Sequence, residues 1–122
     1  MMKRIALWLM IAFYVVAGIN HFANPKVYLP LIPHYLPWPA VINVISGIAE
    51  ILLGLLLIFR ATRKLAVYGI MAMLIAFIPA HVYFIQMNSC VSEALCTSTF
   101  LGWLRLIVIH PILLAWAWWV RL

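Results

Sequence analysis

A carboxylate and a guanidinium lie inside long apolar stretches of this chain, and neither is cheaply buried alone. Glu50 is the one acid within four such stretches, and Arg105 is the one base placed well inside a stretch. Ionisable residues in such segments usually face inward, pair, or mark a ligand or proton path. Arg105 falls about five residues from one end of its stretch and Glu50 about ten from the corresponding end of its own. At 1.5 Å per residue their Cα atoms differ in depth by about 8 Å, which two long side chains can bridge. The spacing therefore predicts a Glu50–Arg105 ion pair, either fixing helix register or also touching a ligand.

Histidines gather at the same level. Asn20 and His21 end the first stretch, His34 lies among prolines, His81 follows Pro79, and His110 precedes Pro111. Each of those two prolines removes a helical hydrogen bond and frees a carbonyl one turn earlier, so polar backbone is expected beside each histidine. No histidine pair has the local i, i+3 or i, i+4 spacing of a metal site, so no metal is expected. Ser46, Glu50 and Gly54 recur every four residues with Gly47 beside them, a small and polar face suited to close helix packing. Cys90 and Cys96 are separated by five residues, which is not a C-x-x-C redox pair. The spacing leaves three states open: a loop-closing structural disulfide, an exchanging disulfide, or free thiols.

The elements that position these residues follow from composition. Of 122 residues, 69% are hydrophobic and 8% charged, against soluble averages of roughly 45–50% and about 25%. One domain over residues 1–122 is expected, an all-α membrane protein with lipid as its solvent. Four spans are predicted, at about Ile5–Ala23, Ala40–Phe59, Leu65–Ile85 and Phe100–Val120, each near the ~20 residues that cross a hydrocarbon core. The Arg60–Lys64 connection makes spans two and three antiparallel neighbours.

Lys3, Arg4, Arg60, Arg63, Lys64 and Arg121 fall at one set of span ends, and Lys26 at the other. Cytoplasmic edges carry such an excess, so both termini are expected in the cytoplasm, with a bacterial inner membrane as the location. The net charge of +6 is thereby assigned to topology and anionic lipid rather than nucleic acid. The Lys3-Arg4 start is not followed by a small-x-small cleavage site, so the first span is expected to be retained. Trp116, Trp118 and Trp119 at one end, and Trp38 and Trp103 at the other, read as interfacial aromatic belts. Pro25, Pro30, Pro33, Pro37 and Pro39 exclude a continuous helix through 24–38. That apolar segment is expected to form an outer cap over the bundle mouth, between helices 1 and 2.

Taken in order, Gly18-Ile-Asn-His-Phe22, Tyr28-Leu-Pro, His34-Tyr-Leu-Pro-Trp38, Ser46-Gly-Ile-Ala-Glu50 with Gly54, and Arg105 with Trp116-Ala-Trp resemble the DoxX family of small membrane proteins. The similarity covers nearly the whole chain. It implies a four-helix membrane bundle and an association with redox and thiol metabolism. Where the family has Pro-x-Gln after the span-four arginine, this chain has Ile107-Val-Ile-His-Pro111. On that basis the expected function is an accessory or partner subunit in redox or thiol homeostasis, or in membrane-complex assembly. The alternatives are a quinone-linked thiol or sulfur oxidoreductase subunit and a small-molecule or proton carrier using Glu50. Quinone is the one cofactor these readings admit. The partners they admit are a membrane or periplasmic redox protein and a second copy of the chain.

Overall fold

The computed structural model describes residues 1–33, 35–87, 90–92, 95–96 and 98–121. His34 lies outside the described residues. Four helices are long and apolar enough to cross a membrane by length and composition: Met2–Ala23, Pro39–Leu56, Arg60–Gln86 and Phe100–Val120. The first is α1 (Met2–Ala23) and the second α3 (Pro39–Leu56), with a short helix α2 (Pro25–Tyr28) and a 3₁₀ turn (Leu29–Leu31) between them.

The third is interrupted, as α4 (Arg60–Ala76) and α5 (Ile78–Gln86), and the fourth comprises α6 (Thr99–Leu104), a π turn (Arg105–Ile109) and α7 (His110–Val120). Proline accounts for both irregularities. Pro79 cannot donate to the carbonyl four residues back, and the helix resets at Phe77 just before it. Pro111 is accommodated by a wider turn, in which the His110 amide reaches back to the Arg105 carbonyl. Between α5 and α6, β1 (Cys90–Ser92) and β2 (Leu95–Cys96) pair antiparallel, with Cys90 opposite Cys96. Those two cysteines form a disulfide.

Two of the expected boundaries move. The Arg60–Lys64 segment is the first turn of α4 rather than a loop, and α3 ends at Leu56 rather than Phe59. The tight connection is Leu57–Phe59, and its basic neighbours close the carbonyls that α3 leaves open. Arg63 donates through Nε to the Leu57 carbonyl at 2.9 Å and through its terminal nitrogen to Ile58 at 3.2 Å. Thr62 donates to the Leu56 carbonyl at 2.7 Å. A helix end needs such donors where water is scarce.

Among the described elements, α1 and α3 pack against each other most extensively. Leu7, Ile11, Tyr14, Gly18 and His21 are buried along α1, and Asn43, Gly47, Glu50 and Gly54 along α3. Both rows step by three and four, the seam that keeps two helices in register. A Cβ on Gly18 would lie 2.6 Å from the Gly47 carbonyl oxygen, and one on Gly47 would lie 2.9 Å from the His21 Cβ. Backbone therefore meets backbone there, as small residues permit in helix pairs packed without water.

The apolar core sits in the half away from the 3₁₀ turn, where Leu7, Leu57, Val67, Ile70 and Val120 are buried together. Trp116 donates from its indole to the Ala6 carbonyl at 3.1 Å in that same half, tying α7 to α1. Trp116 is thus a clamp between helices, whereas Trp118 and Trp119 remain exposed. The half nearer the cap is different, because polar side chains and space replace the core.

Candidate functional site

His21 is the centre of that polar half. Its Nδ1–H donates to the Asn43 Oδ1 at 2.7 Å, and the Asn43 amide donates back to the His21 carbonyl at 3.0 Å. This reciprocal pair is made possible by the Gly18–Gly47 contact one turn away. It leaves Nε2 of His21 facing the Glu50 Oε2 at 3.4 Å, in an environment where both side chains are less than a tenth exposed. Since Nδ1 keeps its hydrogen for Asn43, Nε2 is the ring atom through which His21 meets the carboxylate.

The separation exceeds the roughly 2.7–3.2 Å of a well-formed hydrogen bond. Oε2 of Glu50 is buried and makes no hydrogen bond, and neither does the buried Tyr14 hydroxyl on the same face of α1. Buried polar atoms are nearly always satisfied, so the open Glu50 oxygen on the cavity lining indicates an incomplete site.

The cap supplies the roof. The Tyr28 ring stacks on His21 with centroids 3.8 Å apart and 20° between planes. Tyr28 is held in place by Asn20, whose amide donates to the phenol oxygen at 2.7 Å. Asn24 in turn donates to Asn20 at 2.6 Å. Beneath the roof lies a cavity of about 340 Å³, bounded by His21, Asn43, Ser46 and Glu50 on one wall and His81 and Arg105 on the other. Leu31, Ile32, Pro33 and Leu36 of the cap close it from above, and Phe77 and Pro79 flank the helix break. That volume is within the range of small-molecule sites, and the pattern of apolar walls with a few converging polar groups is theirs too.

The sequence-based expectation of a Glu50–Arg105 ion pair is corrected by this geometry. His21–Glu50 is the one carboxylate pair among the described residues. Arg105 lies across the cavity, with its guanidinium 5.2 Å from the centroid of the Phe84 ring. Depth arithmetic placed the two residues at the same level but could not see the intervening space. Of the other expected residues, His21, His81, Glu50 and Arg105 meet at the cavity, while Asn20 and His110 stand behind its walls. His110 is buried and donates from Nε2 to the Leu74 carbonyl, next to the break before Pro79. It presents its ring edge to His81 at 4.9 Å. Its role is to staple α7 to α4.

Asn43 and Tyr28 were not anticipated. Asn43 had a readable signal, being seven residues before Glu50 and four before Gly47 on one helical face. Tyr28 had none, since only the fold of the cap brings it over His21. Among the described residues no three histidine, cysteine or acidic side chains are grouped to hold a metal ion.

A helical chain with four membrane-length helices and a partly polar cavity under a proline-rich cap is a small helical bundle in outline. The chain belongs to the family described as a domain of unknown function, DUF8561, whose model matches residues 10–121. This corrects the resemblance to the DoxX family, which is not matched. The motifs behind that resemblance are short, and the structure explains them by packing: Gly18 and Gly47 by a helix contact, His21 and Glu50 by their approach to each other, and the prolines by chain reversal. Such requirements recur in unrelated helix pairs. No curated protein matches the chain, and no solved structure does either.

Proposed function

We propose that this is an integral membrane protein of four spans that binds a small amphipathic molecule in a cavity in the outer half of the bilayer. The basic asymmetry supports cytoplasmic termini, as in a bacterial inner membrane. Support for lipid contact comes from the outward faces of the long helices. Trp8, Ile45, Leu65, Ile75, Ile107 and Ile112 are all about half exposed or more, and in water so much apolar surface would drive association.

The observation that carries the binding reading is the buried Glu50 oxygen without a hydrogen bond, facing His21 at the edge of a roofed cavity. A ligand with a donor completes it. In this proposal the protein acts as a binding or carrier component, alone or as the partner subunit of a larger membrane assembly.

One contact favours a second reading: β1, which carries Cys90, lies against the 3₁₀ turn that roofs the cavity. A quinone held there would take two electrons and two protons from the Cys90–Cys96 dithiol, giving quinol and disulfide. Mass spectrometry of small molecules released from the protein in phosphatidylcholine nanodiscs tests both. The native protein is expected to release a compound absent from empty nanodiscs and from a Ser46→Phe variant, whose ring fills the cavity. Identical extracts from all three would sink the proposal, and a recovered quinone would select the second reading.

A further inference from the structure

We infer that the ligand of this cavity carries a carboxylate head on a flat apolar body, with Arg105 as the group that recognises the head. This rests on the binding proposal and adds its chemistry. The charges on the lining decide the sign. Glu50 has His21 within ion-pair distance at 3.4 Å. Arg105 is a permanent cation, and among the described residues no acid lies within ion-pair reach of it. It lies against the Phe84 ring, which accepts charge by its face but makes no hydrogen bonds with the edge of the guanidinium fork, and it shares the lining with His81. The lining therefore holds a cation without an acid partner among the described residues in a mostly apolar space, and a monoanion supplies one.

A carboxylate also matches the geometry of the guanidinium, taking two parallel hydrogen bonds from its planar fork. The other walls select the body. Tyr28, Phe77, Pro33 and Pro79 offer flat apolar surfaces, and a polar hydrogen on that body would complete the open Glu50 oxygen. The Tyr28 hydroxyl accepts from the Asn20 amide and keeps its own hydrogen to donate.

Three molecules of one shape test the sign of charge: benzoate, benzamide and benzamidine, which are anionic, neutral and cationic. Binding is measured by ligand-observed NMR titration of the full chain in phosphatidylcholine nanodiscs, so that no anionic headgroup competes. Benzoate is expected to bind about tenfold or more tighter than benzamide, the discrimination one charge-assisted pair supplies, and benzamidine weakest. Arg105→Gln should abolish the preference of benzoate over benzamide. Arg105→Lys, which keeps the charge but loses the fork, should retain part of the preference and guards against misfolding of the first variant.

Equal binding of benzoate and benzamide, or preference for benzamidine, would overturn the inference. Loss of that unselective binding in Ser46→Phe would still uphold the cavity as a ligand site. Binding of none of the three also overturns it, and the extraction experiment then decides the cavity reading independently. Benzoate binding that disappears when anionic phosphatidylglycerol is added would identify a lipid headgroup phosphate as the better occupant and overturn the carboxylate assignment.

Discussion

Replacing Gly18 with alanine should disassemble the site without touching any of its polar atoms. The added Cβ would lie 2.6 Å from the Gly47 carbonyl oxygen and 2.9 Å from the Ile51 amide nitrogen, whereas ordinary contact begins at 3.4 Å. The obstacle is backbone, which cannot swing aside, so α1 and α3 must separate by about 0.8 Å, the difference between 3.4 and 2.6 Å. Stretched by that amount, the 2.7 and 3.0 Å bonds between His21 and Asn43 would reach the limit of hydrogen bonding or pass it. The His21–Glu50 approach of 3.4 Å would open beyond ion-pair distance.

Overpacking typically costs about 1–3 kcal/mol, and each lost hydrogen bond about 0.5–1.5 kcal/mol. The gain from replacing glycine in a helix is about 0.5–1 kcal/mol, leaving a net loss of about 1–5 kcal/mol, centred at about 3 kcal/mol. Gly69→Ala is the internal control. Its Cβ also meets an atom at 2.6 Å, but that atom is the end of the Leu53 side chain, which can rotate, so a loss below about 1 kcal/mol is expected. Unfolding by SDS titration in mixed micelles, followed by far-UV circular dichroism, measures both. If Gly18→Ala costs no more than Gly69→Ala, the close helix contact is not what holds the site together.

Three other outcomes follow from the same geometry. Glu50→Leu should cost about 3–5 kcal/mol by leaving His21 buried and unpaired, and adding His21→Leu should recover much of it. Strict additivity in that cycle would deny the pair, whereas Glu50→Gln with Arg105→Gln should be close to additive because the cavity separates them. Cys90→Ser with Cys96→Ser should lower stability by about 2 kcal/mol through loss of a short loop closure. A mixed disulfide trapped with another protein when only Cys96 is replaced would instead show exchange chemistry. Reporter fusions after Arg63 and after Val91 should report cytoplasm and exterior respectively, and the reverse pattern would invert the proposed orientation.

Residue chemistry made some of this readable in advance, for identifiable reasons. The four long helices were legible because apolar runs of that length have few alternatives, and proline marked both the cap and the two helix breaks. The outcome at each proline was less legible, since Pro79 resets its helix while Pro111 is absorbed by a π turn. The Arg60–Lys64 segment misled because its charges suggested a solvated loop. Their actual use, closing the end of α3 through Arg63, depends on a turn whose geometry no composition reveals.

Glu50 shows where reading from one dimension stops. Depth along a helix axis is set by residue count, so Glu50 and Arg105 could be placed at nearly the same level. Whether they touch depends on the angle each presents around its axis and on what stands between. The angle of Glu50 is set by the Gly18–Gly47 contact, which turns the carboxylate toward α1 and its histidine. That choice is what leaves Arg105 without an acid in ion-pair reach among the described residues. A bundle that wanted only stability could have paired the two directly and filled the space with leucine. Turning Glu50 toward His21 while leaving Arg105 on the lining of a largely apolar cavity instead sets the features from which the proposed ligand site is argued, and the same helix contact that forms the pair therefore bears on what that site would accept.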